Sequence, residues 1–228
     1  MANQNLAVAN LYEAYTIPNT KIFLDSGAHH VLCLGNSITL HTFGRTRPGA
    51  SPFWEGRWGM CASRPDSDYV HRLGRMFMKV NVRSTIMGVN IADWETNPKR
   101  DKNSLFGKYM RGKDLIIIRL GENVSESAIY DSSIFEDAYM KLLSLFSYSI
   151  RLISIPFWPS KKKQYVMTQI AIKSNSYLVD LSHLGNGTDP ENFAESQKKY
   201  KTPGVGVHPG NIGMKHIAEC YYAIISVH

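Results

Sequence analysis

The chain has 228 residues, of which 43% are hydrophobic and 20% are charged. This balance excludes a disordered or fibrous protein, and the length suits one α/β domain with a sizeable core. The formal net charge is +7, but no recognition motif accompanies it, so nucleic-acid binding is not expected. No apolar run approaches the roughly 20 residues that a membrane-spanning helix needs.

The N-terminal part of the chain is predicted to be a leader segment. We expect residues 1–28 to pack on the edge of a single domain spanning 1–228, with a short helix over 6–15. The N-terminus lacks the basic start and continuous apolar core of a secretory signal. The sequence therefore fits either a cytoplasmic protein or an exported protein whose signal has been removed. The cysteines have no C-x-x-C spacing, which argues against a disulfide framework or a structural zinc site.

The first strand of the domain is predicted over residues 30–35. Its apolar run is typical of a strand buried on both faces, and it is followed by the small polar residues Asn36 and Ser37. Gly35 permits a tight turn at this point. Because ligands bind outside the carboxyl ends of strands in an open α/β sheet, Ser37 is a candidate nucleophile.

A long loop is predicted directly after this turn. Residues 41–60 are rich in Gly, Pro, Arg and Trp and follow neither a helical nor a strand period. A loop of this length inside a compact domain is usually functional. It could form a wall of a pocket beside Ser37, with Trp54 and Trp58 as its apolar surfaces. The alternative is a packed surface loop anchored by its tryptophans.

The remaining chain alternates helices and strands. The predicted helices cover 66–78, 134–148, 161–174 and 212–227, and the predicted strands cover 81–87, 115–120, 150–157 and 177–181. This spacing predicts a parallel sheet with helices on both faces. The three lysines at 161–163 fit a solvated helix start, with attraction of an anionic substrate or polymer as the alternative.

Small polar groups end three of these predicted strands, at 35–37, 88–90 and 121–123. The ends of parallel strands meet at one edge of the sheet. His208 lies in a loop before the last helix, where Pro209 keeps it out of regular structure. Histidine has the pKa needed to take a proton from a serine hydroxyl at neutral pH. We therefore predict Ser37 as nucleophile and His208 as general base.

Attack on an acyl carbonyl also requires donors for the developing oxyanion. The predicted sources are the backbone N–H of Ser37, the backbone N–H of Gly88 and the side-chain amide of Asn123. All three belong to the polar strand ends that the sheet brings together.

Four blocks of the sequence, in order, resemble the SGNH (GDSL-like) hydrolase family over residues 30–226. They are LGNSIT with Ser37, IMGVNIADWE with Gly88, RLGENV with Asn123, and GVHPGNIGM with His208. The resemblance implies a three-layer α/β/α fold related to flavodoxin, with a central parallel sheet of about five strands. It also implies ester hydrolysis through an acyl-enzyme, with no metal or other cofactor. The segment GRWGMCASRPDSDYVH resembles bacterial members grouped near the carbohydrate esterases.

The chain departs from this family at two positions. Asn36 stands where many members have an aspartate beside the nucleophile, and Val205 stands where the family's usual aspartate precedes the histidine by three residues. That carboxylate would fix the imidazole tautomer and stabilise the imidazolium. We therefore expect a backbone carbonyl or a carboxylate from elsewhere to orient His208. The candidate carboxylates are Glu95, Glu122, Asp180 and Asp189.

Together these features predict a serine esterase that removes a small acyl group, acetyl by resemblance, from a carbohydrate. The predicted substrate-binding residues are Asn36, Trp54, Trp58 and Glu122. Trp94 offers a further aromatic surface for a sugar ring. One alternative is a lipase or thioesterase for longer acyl chains. The other is a non-catalytic carbohydrate-binding module on a decayed hydrolase, which Val205 favours.

Overall fold

The computed structural model describes residues 22–41, 57–98, 112–127, 132–194 and 203–227. The predicted helix over 6–15 and the predicted substrate-binding residue Trp54 lie outside the described residues. In the part of the chain that is described, no helix combines the length and the apolar character needed to cross a membrane.

Strands and α-helices alternate along most of the described chain, as predicted. The strands are β1 (Ile22–Leu24), β2 (His30–Gly35), β3 (Thr85–Asn90), β4 (Leu115–Arg119), β5 (Ile150–Ile155), β6 (Tyr177–Asp180) and β7 (Ile225–Val227). The α-helices are α1 (Tyr69–Val80), α2 (Ala92–Thr96), α3 (Ser132–Ser144), α4 (Lys161–Ser174), α5 (Pro203–Gly206) and α6 (Asn211–Ala223).

Among the described residues, five strands form a parallel sheet in the order β3-β2-β4-β5-β6. The chain leaves β2, adds β3 on one side and then crosses to β4 on the other side. At the end of β2, Gly35 lies level with Asn90 of β3 and with Arg119 of β4. In open α/β sheets, ligands bind at such a reversal of strand order. The predicted parallel sheet is confirmed, and it puts the Ser37 turn at this crevice.

Helices cover both faces of the sheet. Cys33 faces the layer that contains α1 and α6, whereas Leu34 faces the layer of α2, α3 and α4. Successive strand residues point to opposite faces, so one apolar strand supplies both cores. β4 is buried along its whole length for the same reason. The predicted three-layer α/β/α architecture is confirmed.

Capping residues explain the bounds of α4 and the start of α1. α4 begins after Ser160, whose hydroxyl accepts a hydrogen bond from Lys163 N–H, and it ends at Asn175 in the left-handed conformation. These bounds agree with the predicted 161–174. α1 begins later than predicted, because Asp68 caps it by accepting a hydrogen bond from His71 N–H.

Other predicted bounds also differ from the structure. The helix predicted over 134–148 is α3, which ends at Ser144. The strand predicted over 81–87 is β3, which begins only at Thr85 because residues 81–84 form a hydrogen-bonded turn. The last helix ends at Ala223 rather than at 227. Residues 225–227 instead form β7, which pairs in parallel with β1. The described end of the predicted leader is thus a strand fixed to the C-terminal end of the described chain.

Candidate active site

We call residues 36–39, which carry the candidate nucleophile Ser37, the nucleophile turn. They fold back tightly at the end of β2. A Cβ at position 35 would lie 1.9 Å from Thr39 Oγ1, so only glycine fits there. Thr39 N–H donates to the backbone oxygen of Asn36 at 2.9 Å, and Thr39 Oγ1 lies 2.7 Å from the hydroxyl oxygen of the buried Tyr69. These contacts leave Ser37 partly exposed at the carboxyl edge of the sheet.

The described end of the predicted pocket loop packs against this turn. Met60 N–H donates to the backbone oxygen of Ser37 at 2.8 Å, and His41 N–H donates to the backbone oxygen of Trp58 at 2.8 Å. The indole N–H of the half-buried Trp58 donates to Ala62 O at 2.8 Å. The loop therefore begins and ends beside the candidate nucleophile, and substrate contact by Trp58 stays a prediction.

His208 faces Ser37 with one ring nitrogen and the backbone with the other. Its Nε2 lies 3.1 Å from Ser37 Oγ, and its Nδ1 lies 3.0 Å from Gly204 O. A carbonyl oxygen can only accept, so Nδ1 carries the hydrogen and Nε2 is left to accept the Ser37 hydroxyl proton. Of the two predicted ways to orient His208, the structure has the backbone carbonyl. Val205 is buried, and its carbonyl accepts the backbone N–H of His208.

The carboxylates predicted as alternative partners of His208 have other hydrogen-bond donors. They pair as follows: Asp180 with Ser182, Asp189 with Glu191 N–H, Glu95 with Asn123, and Glu122 with Arg119. Burial of the imidazole lowers the pKa of His208 to about 4, even though the Gly204 hydrogen bond favours the protonated form. His208 is therefore neutral, and able to act as a base, across the neutral and mildly acidic range.

Trp158 is a neighbour of His208 that the sequence analysis missed. Its ring meets the imidazole edge to face, with the centroids 5.1 Å apart and the planes at 84°. The indole N–H donates to Val207 O at 3.0 Å, which ties the ring to the histidine loop. The available sequence signal was its position just after the end of β5, on the edge of the sheet that carries the site.

The predicted oxyanion donor Asn123 is held by a buried carboxylate. Asn123 Nδ2 donates to Glu95 Oε2 at 2.7 Å, and the backbone N–H of Gly121 donates to Glu95 Oε1 at 2.5 Å. Glu95 is only 3% exposed, whereas Asn123 is exposed. A side-chain amide has two hydrogens, so Asn123 keeps one for a ligand. Burial, and then the negative charge of Glu122, raise the pKa of Glu95.

A buried arginine joins this carboxylate to the nucleophile turn. Arg119, which is fully buried, donates from one terminal nitrogen to Glu122 Oε1 and from the other to Asn36 Oδ1. Asn36 Nδ2 then donates to Glu122 Oε2 at 2.9 Å and lies 3.2 Å from Glu95 Oε2. Although burial lowers the pKa of Arg119, the adjoining Glu122 carboxylate raises it above its ordinary value. We call Asn36, Glu95, Arg119 and Glu122 the buried polar cluster.

Three predicted substrate contacts need correction. Asn36 is only 1% exposed and the Glu122 side chain is likewise 1% exposed, since both belong to the buried polar cluster. They contact other residues of the site and do not face a ligand. Trp94 is 4% exposed and packs on Phe135 and Tyr139, so it is a core residue and not a surface for a sugar.

Gly88 does not end its strand as predicted. It lies in the middle of β3, paired with Cys33, two residues before the level of Gly35 and Asn90. A Cβ there would meet Thr39 and Val70 at ordinary contact distance. Its backbone N–H as an oxyanion donor stays a prediction.

The lysine group at the start of α4 is only partly solvated. Lys161 is exposed as predicted, but Lys163 is partly buried and its Nζ donates to the backbone oxygen of Glu122 at 3.0 Å. Burial lowers the pKa of Lys163, while the nearby Glu122 and Glu95 carboxylates act in the opposite direction. This lysine therefore adds positive charge beside the buried polar cluster.

No protein-family model matches the chain, and no curated protein matches its sequence significantly. Solved structures do match its fold. A two-domain esterase active on acetylated mannans aligns with a TM-score of 0.56 at 16% identity; the match covers 86% of this chain and 48% of that protein, so this chain spans about half its length.

Two further solved structures match over nearly their whole length. An acetyl xylan esterase aligns with a TM-score of 0.51 at 16% identity, covering 85% of this chain and 98% of that one. A family 3 carbohydrate esterase from Clostridium thermocellum aligns with a TM-score of 0.52 at 15% identity. The match covers 86% of this chain and 94% of that one. The chain has the α/β fold of these esterases, as the sequence resemblance to the SGNH hydrolases implied.

Proposed function

We propose that this protein is a serine esterase that removes an acetyl group from a carbohydrate. The observation that carries the proposal is the 3.1 Å contact between Ser37 Oγ and His208 Nε2, with Nδ1 fixed as the protonated nitrogen by Gly204 O. A serine beside a histidine of this tautomer is an activated nucleophile. The acetyl and carbohydrate parts are supported by the fold shared with esterases of acetylated mannan and xylan.

The proposed reaction has two halves. Ser37 Oγ attacks the ester carbonyl carbon while His208 Nε2 takes the hydroxyl proton. His208 then gives this proton to the departing sugar oxygen, which leaves an acetyl-enzyme on Ser37. A water molecule loses a proton to the same Nε2 and attacks the acetyl carbon. Acetate leaves as the proton returns to Ser37 Oγ.

The negative oxygen of each tetrahedral intermediate needs donors near Ser37. The proposal assigns this role to the backbone N–H of Ser37 and to the second amide hydrogen of Asn123, with Gly88 N–H as the predicted third donor. The exposure of Asn123 supports its assignment. Glu95 holds one of its amide hydrogens, which leaves the other for a ligand. The position of Gly88 inside β3 offers less support.

Hydrolysis of p-nitrophenyl acetate by the wild type and by Ser37→Ala tests the proposal. We expect the variant to lose about 10⁴-fold or more in kcat, because the nucleophile is absent. The matched control is Ser144→Ala, which removes an exposed hydroxyl on α3 and is expected to leave the rate unchanged. A fluorophosphonate probe should label the wild type on Ser37 and not label Ser37→Ala. Equal rates of hydrolysis by the wild type and by Ser37→Ala would disprove ester hydrolysis through Ser37.

Acyl and alcohol preference are then measured separately. We expect p-nitrophenyl acetate to be hydrolysed faster than the butyrate and octanoate esters, and acetylated xylan or mannan oligosaccharides to release acetate. Preference for octanoate would replace the proposal with the lipase or thioesterase alternative. Binding of these oligosaccharides without any turnover would favour the non-catalytic module.

A further inference from the structure

Glu95 links two segments of the site that are distant in the sequence. Its Oε1 accepts the backbone N–H of Gly121 at 2.5 Å, and its Oε2 accepts the side-chain amide of Asn123 at 2.7 Å. Oε2 also lies 3.2 Å from Asn36 Nδ2, the residue immediately before Ser37. One buried carboxylate thus contacts the turn after β4 and the turn after β2.

The hydrogen-bond pattern around Asn36 requires an amide. Oδ1 accepts from Arg119 and, at 3.3 Å, from Ile38 N–H. Nδ2 donates to Glu122 Oε2 and faces Glu95, and both partners are carboxylates that can only accept. An aspartate at position 36, as many SGNH hydrolases have, would replace this donor by an acceptor and leave two carboxylates facing a third.

Charge leads to the same conclusion. The fully buried Arg119 and the partly buried Lys163 lie beside the two carboxylates of Glu95 and Glu122. Burial already raises the pKa of Glu95, which means that its negative charge is only partly compensated. A third buried negative charge at position 36 would therefore be strongly unfavourable.

We propose that Asn36 and Glu95 are positioning residues that hold the nucleophile turn and the Asn123 amide as one unit, and that the amide at position 36 is matched to Glu122. Neither side chain reaches the substrate, since Asn36 is 1% and Glu95 3% exposed. The expected effect on catalysis rests on the proposed esterase function. The matching of donors to acceptors can be tested without that function, because mismatched partners also lower the stability of the fold.

A double-mutant cycle tests the matching. Asn36→Asp should lower Tm by about 6 °C or more and kcat by about 100-fold, from the added buried charge and a displaced turn. Glu122→Gln alone should also destabilise, since its new amide would face the amide of Asn36. In N36D/E122Q the charge is as in the wild type, and the Nε2 of the introduced glutamine can donate to the introduced carboxylate. We expect the double variant to regain at least half of the Tm loss and tenfold in kcat over N36D.

The control for the added charge is Asn186→Asp. The Asn186 side-chain oxygen accepts hydrogen bonds from Thr188 in an exposed turn, and a carboxylate can accept them too. This variant should behave as the wild type. The proposal is wrong if N36D also behaves as the wild type, or if the double variant is no more stable than N36D. A wild type without esterase activity would disprove the proposed function, while the Tm cycle would still decide the matching.

Glu95→Gln tests the positioning role. Replacing one acceptor oxygen by an amide deprives Asn123 or Gly121 of its partner. We expect kcat for p-nitrophenyl acetate to fall about 100-fold with KM nearly unchanged, since the transition-state donor is misplaced while the substrate surface is intact. The matched control is Glu219→Gln on the exposed end of α6, which should leave both constants unchanged. An unchanged kcat in Glu95→Gln would overturn this role.

Discussion

The two sides of the Ser37 site are built from different kinds of interaction. On the side that carries the proposed oxyanion donor Asn123, which we call the oxyanion side, the Asn123 amide is held by the Glu95 carboxylate, which belongs to a cluster with the fully buried Arg119. On the histidine side, His208 is held by the neutral backbone carbonyl of Gly204 and by the edge-to-face contact with a tryptophan ring. Ionised groups fix the first side, and uncharged groups fix the second.

This difference has consequences for both sides. Buried charged groups stabilise one another only while every partner is present, because removing one group leaves the opposite charge of its partner uncompensated. A carbonyl fixes the tautomer of His208, but it stabilises the imidazolium less than a carboxylate does. The oxyanion side should therefore be rigid and intolerant of substitution. The histidine side should be tolerant and carry an unusually weak base.

The largest effect is expected on removing the central cation of the oxyanion side. Arg119→Met would remove the guanidinium that donates to both Glu122 and Asn36 and would leave the buried Glu122 carboxylate without its cation. We therefore expect the free energy of unfolding to fall by about 3–5 kcal/mol. Urea denaturation followed by circular dichroism measures this change. Arg75→Met is the control, because Arg75 pairs with Asp66 at the surface and its loss should amount to less than about 1 kcal/mol. Equal losses in the two variants would show that the buried charges do not fix this side.

Much of the oxyanion side could not be predicted from the sequence. The run LIIIRL correctly predicts a buried strand, yet nothing in it shows that the charge of Arg119 lies inside. That charge is tolerated only because Glu122 and Asn36 meet it, and Asn36 lies 83 positions away in the chain. Local patterns predict which residues reach the sheet edge, but not which of them turn inward.

The histidine side shows the opposite limit. The strand-end position of Ser37, the loop position of His208 and the resemblance of the four sequence blocks together predicted this pair, and the structure brings their side chains to 3.1 Å. The partner of His208 Nδ1 is a backbone oxygen. Every residue has one, so the residue type at position 204 could not predict this hydrogen bond. The pairing of β1 with β7 was missed for a related reason, since two three-residue strands at distant positions leave almost no periodic pattern.

The uncharged support of His208 also affects how activity depends on pH. With its pKa lowered to about 4, His208 loses its proton far below the ordinary value of 6.5, and only the neutral imidazole can accept the Ser37 proton. The acid limb of kcat/KM should therefore lie near pH 4. The fraction of the maximal kcat/KM that is retained at pH 5 should exceed that of an enzyme with an unshifted histidine by about 30-fold. NMR titration of the imidazole, assigned by its absence in His208→Gln, gives the pKa directly. A midpoint near 6.5 by both methods would contradict the weak-base interpretation.

The smallest effect is expected at Trp158, whose contacts with the histidine loop are uncharged. Its indole N–H donates to Val207 O at 3.0 Å, and a hydrogen bond of this kind is worth about 0.5–1.5 kcal/mol. Trp158→Ala should lower kcat by about three- to tenfold. The His208 ring loses its edge-to-face contact, and the loop that carries it loses the hydrogen bond to Val207 O. Trp158→Phe keeps a ring against the imidazole and should lose less. Tyr148→Ala, at a fully exposed aromatic residue, should change nothing. If Trp158→Ala instead lost as much activity as Glu95→Gln, the two sides would be equally intolerant and the contrast between charged and uncharged support would fail.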